Sequence, residues 1–424
     1  MPFGRLRGFQ DITGLSAARF TAIEAAAREV FGLFGFEEIR IPLLEEKALF
    51  TRALGEETDV VQKEMYEFED RSKTRVALRP EGTAGVVRAY LENSFDKNQG
   101  LSKFYYMGPM FRSERPQAGR LRQFHQIGAE ALGTDSPYAD VETIQCLVLF
   151  LKRAGISGYE VKLNNLGTFE ERAGFREALR AYFKPHLGKL CGDCRNRFEK
   201  NVIRLLDCKN ETCRELARKA PLLASHLTEE SERHFNEVCE ALKVAGIKYR
   251  LDPTMVRGLD YYTKTVFEVS HPKLGAQDAL GAGGRYDRLV ESFGGPNVGA
   301  VGFAVGVERL AMCVTEEAAA EEKFLEDDYF IVTLGERAFK EGFKILSELR
   351  NHGVKVSMDF SGKSLKSQMR GADKSKSRYV LILGDNELEN GTCTVKDMRD
   401  GTQQLRLLDG YLASLVAQQR NKTC

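Results

Sequence analysis

No stretch of this sequence approaches the roughly 20 consecutive apolar residues that span a bilayer, so no membrane-spanning helix is expected. The start, "MPFGRLRGFQDITG", has arginines but no apolar segment behind them, and neither a secretory nor an organellar leader is expected. Excess charge is missing as well. With 62 Lys+Arg against 61 Asp+Glu the formal net charge is +1, so any polyanion must be held by local patches rather than by the whole molecule. Nine cysteines, an odd number unevenly spread from Cys146 to Cys424, do not read as an extracellular disulfide framework, and a reducing cytoplasmic setting is expected. Nucleotide and metal signatures fail too. "SGKS" at 361–364 would need a glycine where Ser357 stands, "GAGG" at 281–284 lacks the full dinucleotide-binding spacing, and no histidine pair forms HExxH.

What is present is a soluble globular composition, 42% hydrophobic and 29% charged, over 424 residues, enough for two or three domains. Residues 16–34 repeat apolar side chains at helical spacing behind Ser16, a candidate cap, and Gly35 ends the run. "FEEIRIPLLEE" alternates as a strand, with Pro42 arguing for a sheet edge or an interface. "LSKFYYMGPMFRSE" and "LRQFHQIGAEALG" read as a hairpin around the basic loop "SERPQAGR". Residues 139–154 are helical, 159–164 a strand, and about 168–245 a helical insertion. Strands resume at Tyr249 and end in "VGAVGFAVGVERLAMCV", a strand turning into a helix near Gly306. An acidic linker at 316–328 precedes "YFIVTLG", "VKVSMD" and "YVLILG", three strands separated by helical patterns that predict a small α/β domain.

The insertion carries Cys191, Cys194, Cys208 and Cys213, a CxxC followed after thirteen residues by CxxxxC. Four thiolates could wrap one tetrahedral Zn²⁺, leaving no open position for catalysis; four unligated small side chains is the other reading. Elsewhere the strand-rich part concentrates Arg79, Glu81 and Thr83 in "RPEGT", Arg112 and Glu114 in "FRSER", Gln126 and Glu130 in "HQIGAE", Arg257, Tyr261 and Tyr262 in "RGLDYY", and Arg309 in "GVERL". Arginines at the ends of separate strands suit bidentate grip on a triphosphate, and carboxylates nearby suit an amine-bearing co-substrate.

Taken together, these residues resemble a family. "GFEEIRIPLLEE", "FYYMGPMFRSERPQAGRLRQFHQIGAE" and "VGFAVGVERL" are similar to motifs 1, 2 and 3 of class II aminoacyl-tRNA synthetases, and "RGLDYYTKTVFEV" and "ALGAGGRYDRL" to the two segments specific to histidyl-tRNA synthetases. The resemblance covers nearly the whole chain. It implies an α+β fold: a class II antiparallel sheet of six or seven strands flanked by helices over residues 1–322, the helical insertion, and an α/β anticodon-binding domain over 328–424. It also implies a homodimer built on motif 1, and ligation of L-histidine to its tRNA with ATP and Mg²⁺, without membrane or DNA partners and without an editing domain.

Carried over by position, the resemblance makes Arg257 and Arg112 catalytic. Arg257 would lie between the amino-acid carboxylate and the α-phosphate, with Gly258 permitting close approach. Glu81, Gly82, Thr83, Gln126, Glu130, Tyr261 and Tyr262 would join the two arginines around histidine, and Arg112, Glu114 and Arg309 would bind ATP. Arg115 and Gln117 would meet the acceptor end of the tRNA, and the cysteine-bearing insertion would clamp its acceptor arm. Because neighbours on a strand point to opposite faces, one of Tyr261 and Tyr262 is expected to contact substrate more directly. Arg350, Lys355, Lys363, Lys366, Arg370, Lys374, Lys376 and Arg378 form a basic cluster suited to RNA backbone, with a solvated helix face as the other reading. Two rivals stay open: a non-catalytic, histidine-sensing regulatory paralogue of an ATP phosphoribosyltransferase, and a pure RNA-binding module.

Overall fold

A computed structural model describes residues 3–97, 100–117, 119–256, 259–275, 278–315 and 329–423. Arg257 and Gly258, and the acidic stretch 316–328, lie outside the described residues. The chain divides into two compact units, Met1–Ala320 and Glu321–Cys424.

The first unit is built on an eight-stranded sheet in the order Glu37–Glu38, Ser102–Phe111, Gln123–Leu132, Ala300–Gly306, Ala279–Arg285, Thr263–Ser270, Glu160–Asn165, Arg250–Leu251. The inner six strands pair antiparallel; the two-residue strands at each edge pair parallel to their neighbours, so the sheet is larger than the expected six or seven strands, and mixed. Pro42 explains part of the difference. It interrupts "FEEIRIPLLEE", leaving Glu37–Glu38 on the large sheet and Leu44–Glu46 in a separate three-stranded sheet with Arg75–Leu78 and Glu67–Glu69.

Period-two alternation sends Tyr105, Ile127, Phe267 and Phe303 to one face of the sheet, where they join the core with Val30 and Phe31 of helix Gly14–Leu33, Phe150 of Pro137–Arg153 and Val238 of Glu229–Val244. That first helix starts behind Thr13 rather than Ser16, and the Thr13 side chain makes no capping hydrogen bond. Tyr106 and Val266 belong to the other face, in a second core shared with Tyr261, Tyr262 and Tyr286.

The two faces are pinned by a buried charge cluster. Arg285, fully enclosed, places Nε 2.8 Å from Asp140 Oδ1 and one terminal nitrogen 3.0 Å from Asp287 Oδ1. Asp140 Oδ2 is 2.7 Å from His234 Nε2 and accepts from the Thr265 hydroxyl at 3.0 Å. A buried ion pair is tolerable only when its remaining donors are also satisfied, and Arg285 meets that condition by donating to the carbonyls of Thr134 and Ser136. The arginine thus fixes the backbone on which Tyr286 and Asp287 follow.

Between Asn165 and Arg250 the chain is helical, from Phe169–Phe183 to Glu229–Val244. The Thr168–Glu171 capping box starts this run, with Glu171 Oε2 accepting from Thr168 N at 2.6 Å.

In the second unit, Tyr329–Leu334 pairs parallel with both Val356–Met358 and Tyr379–Gly384, and the antiparallel pair Thr392–Asp397 and Gln403–Leu407 completes a five-stranded sheet. Helix Glu336–Asn351 buries Ala338, Ile345, Leu346 and Leu349 against it. Among the described residues no helix is long and apolar enough to cross a membrane.

Candidate active site

The strand pair Ser102–Phe111 and Gln123–Leu132 carries Tyr106 and Glu130 onto the face away from the Gly14–Leu33 helix, and the segment Glu81–Thr83 closes over them at the start of helix Thr83–Glu92. The close approach demands glycine. A Cβ on Gly82 would lie 2.2 Å from the Tyr106 ring, and one on Gly302 only 1.7 Å from Glu130 Oε2. Gly82 therefore serves the site by admitting Tyr106.

Two adjoining cavities result. The smaller, ≈ 280 Å³, is lined by Glu81, Thr83, Glu130, Tyr261, Tyr262 and Tyr286 among others; the larger, ≈ 890 Å³, by Glu114, Phe124, Glu268 and Arg309 among others. Arg112, Arg120 and Gln126 line both. Gln126 also carries a buried Oε1 with no hydrogen-bond partner among the described residues, an acceptor that a bound cation would satisfy.

Electrostatically the small cavity is acidic but short of charge. Burial raises the Glu81 carboxyl above its usual range, opposed by hydrogen bonds from the backbone N–H groups of Ala84 at 3.0 Å and Thr83 at 2.6 Å. Burial pushes Glu130 up to about 8, against donated hydrogen bonds from the Tyr286 hydroxyl at 2.5 Å and the Thr83 hydroxyl at 2.7 Å. Burial also holds the phenols of Tyr106, Tyr261 and Tyr286 well above their ordinary value, so they stay neutral O–H donors. An ammonium or imidazole entering here would meet carboxyls that burial holds toward their neutral form, and its charge would favour their ionisation.

The larger cavity mixes acids with arginines, and Arg112, Arg120 and Arg309 gather on it. Arg112 stacks over the Phe124 ring at 5.5 Å while its Nε donates to Pro80 O at 2.9 Å. Arg309, from helix Val307–Cys313, donates to Gly119 O at 3.0 Å and Ala279 O at 2.6 Å. Burial and then the neighbouring charge of Arg120 disfavour its protonated form, although Glu114 pulls the other way. Guanidinium groups crowded into one cavity favour an anion between them.

The structure thus brings together Glu81, Gly82, Thr83, Arg112, Glu114, Gln126, Glu130, Tyr261, Tyr262 and Arg309 around adjoining cavities. Arg115 and Gln117 stand apart, lining a flanking hollow with Lys63 and Glu64. Arg79 is not part of the group: its Nε and one terminal nitrogen donate to Pro109 O and Ile41 O at 2.9 and 2.7 Å, so it ties backbone segments together. The alternation argument for the tyrosines does not apply. The strand begins at Thr263, Tyr261 and Tyr262 precede it, and both line the small cavity with ring centroids 4.6 Å apart.

Tyr106 and Tyr286 went unassigned in the sequence because each acts through residues distant in the chain, whereas Arg120 belongs to the loop Ser113 to Arg120 that the resemblance sets against ATP and the tRNA acceptor end. Arg120 pairs with Glu114 across the loop, and Tyr286 reaches Glu130 from the neighbouring part of the sheet. The four cysteines do converge: their Sγ atoms all lie within 4.8 Å of one another.

Comparison with known proteins gives one consistent result. A family model described as histidyl-tRNA synthetase matches residues 8–310, and one described as an anticodon binding domain matches residues 328–417. The chain is 45% identical over 410 residues to a histidine–tRNA ligase of Halothermothrix orenii, covering 97% of each. It is 46% identical over 404 residues to that of Geobacter metallireducens, covering 95% of this chain and 97% of the relative. Among solved structures, apo S. aureus histidyl-tRNA synthetase superposes with a TM-score of 0.79 at 33% identity, covering 98% of this chain and 100% of that one. A Bacillus halodurans protein titled an ATP phosphoribosyltransferase regulatory subunit/histidyl-tRNA synthetase shares the fold, with a TM-score of 0.66 at 22% identity over 90% of this chain and 98% of that one.

Proposed function

Since the chain belongs to the histidyl-tRNA synthetase family, we propose that its adjoining cavities bind L-histidine and ATP, and that it activates the amino acid before esterifying its tRNA. The observation that carries this reading is that Arg112 and Gln126 line both the cavity that holds Glu81, Glu130 and the tyrosines and the cavity that holds Arg309. The reaction needs that junction. A carboxylate oxygen of histidine attacks the α-phosphorus, the bond to the β-phosphate oxygen breaks, and pyrophosphate leaves; the 3′-terminal hydroxyl of the tRNA then attacks the acyl carbon and AMP leaves. Two anions must approach in the first step, and a fixed guanidinium offsets their repulsion and the charge growing on the phosphoryl oxygens.

In this reading Glu81, Thr83 and Gln126 hold the α-ammonium, and Glu130, Tyr261 and Tyr262 surround the imidazole. Arg112 binds the α-phosphate beside the histidine carboxylate, Arg309 holds the far phosphates, and Glu114 and Glu268 face ATP and its Mg²⁺. Arg257, by the family resemblance, is the catalytic guanidinium for the carboxylate and the α-phosphate. Arg115 and Gln117 meet the tRNA acceptor end, and residues 328–424 take the anticodon with Lys366, Arg370 and Lys374 of helix Leu365–Lys374. Other members of that basic cluster are spent within the fold: Arg350 donates to Val356 O and Arg378 lies over the Tyr379 ring. The chain works in the cytoplasm as a homodimer, a state supported by the surface exposure of Leu43, Leu44 and Phe68 in and beside the three-stranded sheet. Cys191, Cys194, Cys208 and Cys213 hold a structural Zn²⁺.

The test is ATP–pyrophosphate exchange with each of the twenty amino acids. Exchange with histidine alone supports the reading; none with histidine moves the chain to the regulatory-paralogue reading. Arg257→Ala is expected to slow adenylate formation far more than it weakens histidine binding, and equal losses in both would make Arg257 an ordinary binding residue. Tyr286→Phe removes a donor to Glu130, and about a tenfold fall in kcat/KM for histidine is expected in steady-state exchange, the size of one hydrogen bond to a charged group.

A further inference from the structure

The four cysteines are neither at the surface nor remote from the cavities. Cys194, Cys208 and Cys213 are buried, and Cys191 Sγ lies 3.8 Å from Cys208 Sγ. That separation is too long for a disulfide, whose sulfurs sit about 2.05 Å apart. It equals the tetrahedron edge, about 3.8 Å, that follows from Zn–S bonds of about 2.3 Å. Cys191 N donates to Cys213 Sγ at 3.3 Å, a contact that ties the first and last of the four together.

Between the second and third of these ligands runs the segment 195–207, and it reaches into the site. Val202 and Leu205 are buried in the same core as Tyr106, Tyr261 and Tyr262. Arg204 places a terminal nitrogen 3.2 Å from Asp59 Oδ2, and both residues line the small cavity. Asn201 Nδ2 donates to Asp260 Oδ1 at 3.5 Å, directly before the tyrosine pair. Leu206, Asp207, Cys208 and Lys209 line the larger cavity. One ligand, Cys208, is thus itself part of that wall.

We propose that a Zn²⁺ ion held by Cys191, Cys194, Cys208 and Cys213 fixes the 201–209 segment as a wall of the nucleotide cavity, so that ATP binding depends on the metal. The metal site stands on the sulfur geometry; its link to ATP rests on the function proposed above. Binding exchanges S–H bonds for Zn–S bonds and releases the thiol protons. A segment with one short helix and one 3₁₀ turn has little core of its own, and a closed four-thiolate site supplies the constraint it lacks. Glu81 and Glu130 are held by the sheet and the Thr83–Glu92 helix start, so loss of the ion would fall mainly on the nucleotide side.

The experiment uses the full chain purified without chelators. Elemental analysis is expected to find about one zinc per chain, and Co²⁺ exchanged into it to show the thiolate charge-transfer and d–d bands of a tetrahedral site. Stepwise reaction with a mercurial, with a chromophoric chelator present, is expected to release the zinc as the four thiols react. Cys208→Ser is expected to lower the zinc content. Zinc below about a tenth per chain, with the four thiols freely reactive, overturns the site whatever the activity. For the link, the KM for ATP in pyrophosphate exchange is expected to rise roughly tenfold on zinc release, the cost of a small displacement in a binding wall, with a smaller change for histidine, and to recover when thiol and zinc are restored. An unchanged KM for ATP, or an equal rise for both substrates, overturns the link.

Discussion

Arg112→Ala is expected to lower kcat for histidine-dependent ATP–pyrophosphate exchange by about 10²–10³-fold, the usual effect of removing one preorganised donor to transition-state charge. Pro80 O accepts from Nε at 2.9 Å and the Phe124 ring lies 5.5 Å from the guanidinium carbon, so the group is held before substrate arrives and its terminal nitrogens remain for a phosphate. The order in which the constants fall is informative. A side chain acting mainly as phosphate charge moves the KM for ATP alone, whereas one placed at the reacting centre moves kcat. Arg112→Lys should restore little, because an ammonium cannot span two oxygens as a planar fork does. Wild-type kcat in the alanine variant would remove Arg112 from the chemical step.

Glu130→Gln is expected to lower kcat/KM for histidine by about two to three orders of magnitude, the cost of losing one partner of a buried, charge-assisted hydrogen bond. The variant also has a signature that needs no substrate. Burial raises Glu130 from 4.5 to about 8, so between those values the folded chain binds a proton that the unfolded chain has lost. The sign is that of a raised acid: its folded state is favoured at low pH, and stability falls as pH rises through the folded value. Thermal unfolding of the wild type should therefore worsen relative to Glu130→Gln between about pH 5 and pH 8, with no further divergence well above that range. Wild-type stability that stays level or rises relative to Glu130→Gln over that range would show that the carboxyl is charged in the free enzyme.

How much of this was legible depends on the distance over which each signal acts. The hairpin that carries Arg112, Gln126 and Glu130 and the strand-to-helix turn at Gly306 are written locally, as alternation that stops where polar or small residues begin, and both occur as strands Ser102–Phe111, Gln123–Leu132 and Ala300–Gly306. Strand character at an edge is legible in "FEEIRIPLLEE" and strand character again from Tyr249, and Glu37–Glu38 and Arg250–Leu251 bear it out; that each would be only two residues long and pair parallel was not legible, since the neighbour they pair with decides it. Thr392–Asp397 and Gln403–Leu407 escaped for another reason. The second is exposed throughout and has no buried face to pattern it. Motif resemblance supplied the residues of the site, but not Tyr286 as the donor to Glu130, nor the role of Arg285 in fixing it, because one reaches across the sheet and the other joins a strand to Asp140 on the Pro137–Arg153 helix.

The missing side chain at Gly302 has an evolutionary consequence. With Glu130 Oε2 already occupying the place of a methyl group there, the acid cannot persist beside any larger residue, and the glycine gains freedom only once the acid has been replaced. A descendant chain acquiring taste for a different amino acid would have to alter the two strands in concert, passing through single changes that serve neither diet. On the proposed role of Glu130 at the imidazole, such a paired lock helps keep one amino acid assigned to one set of codons.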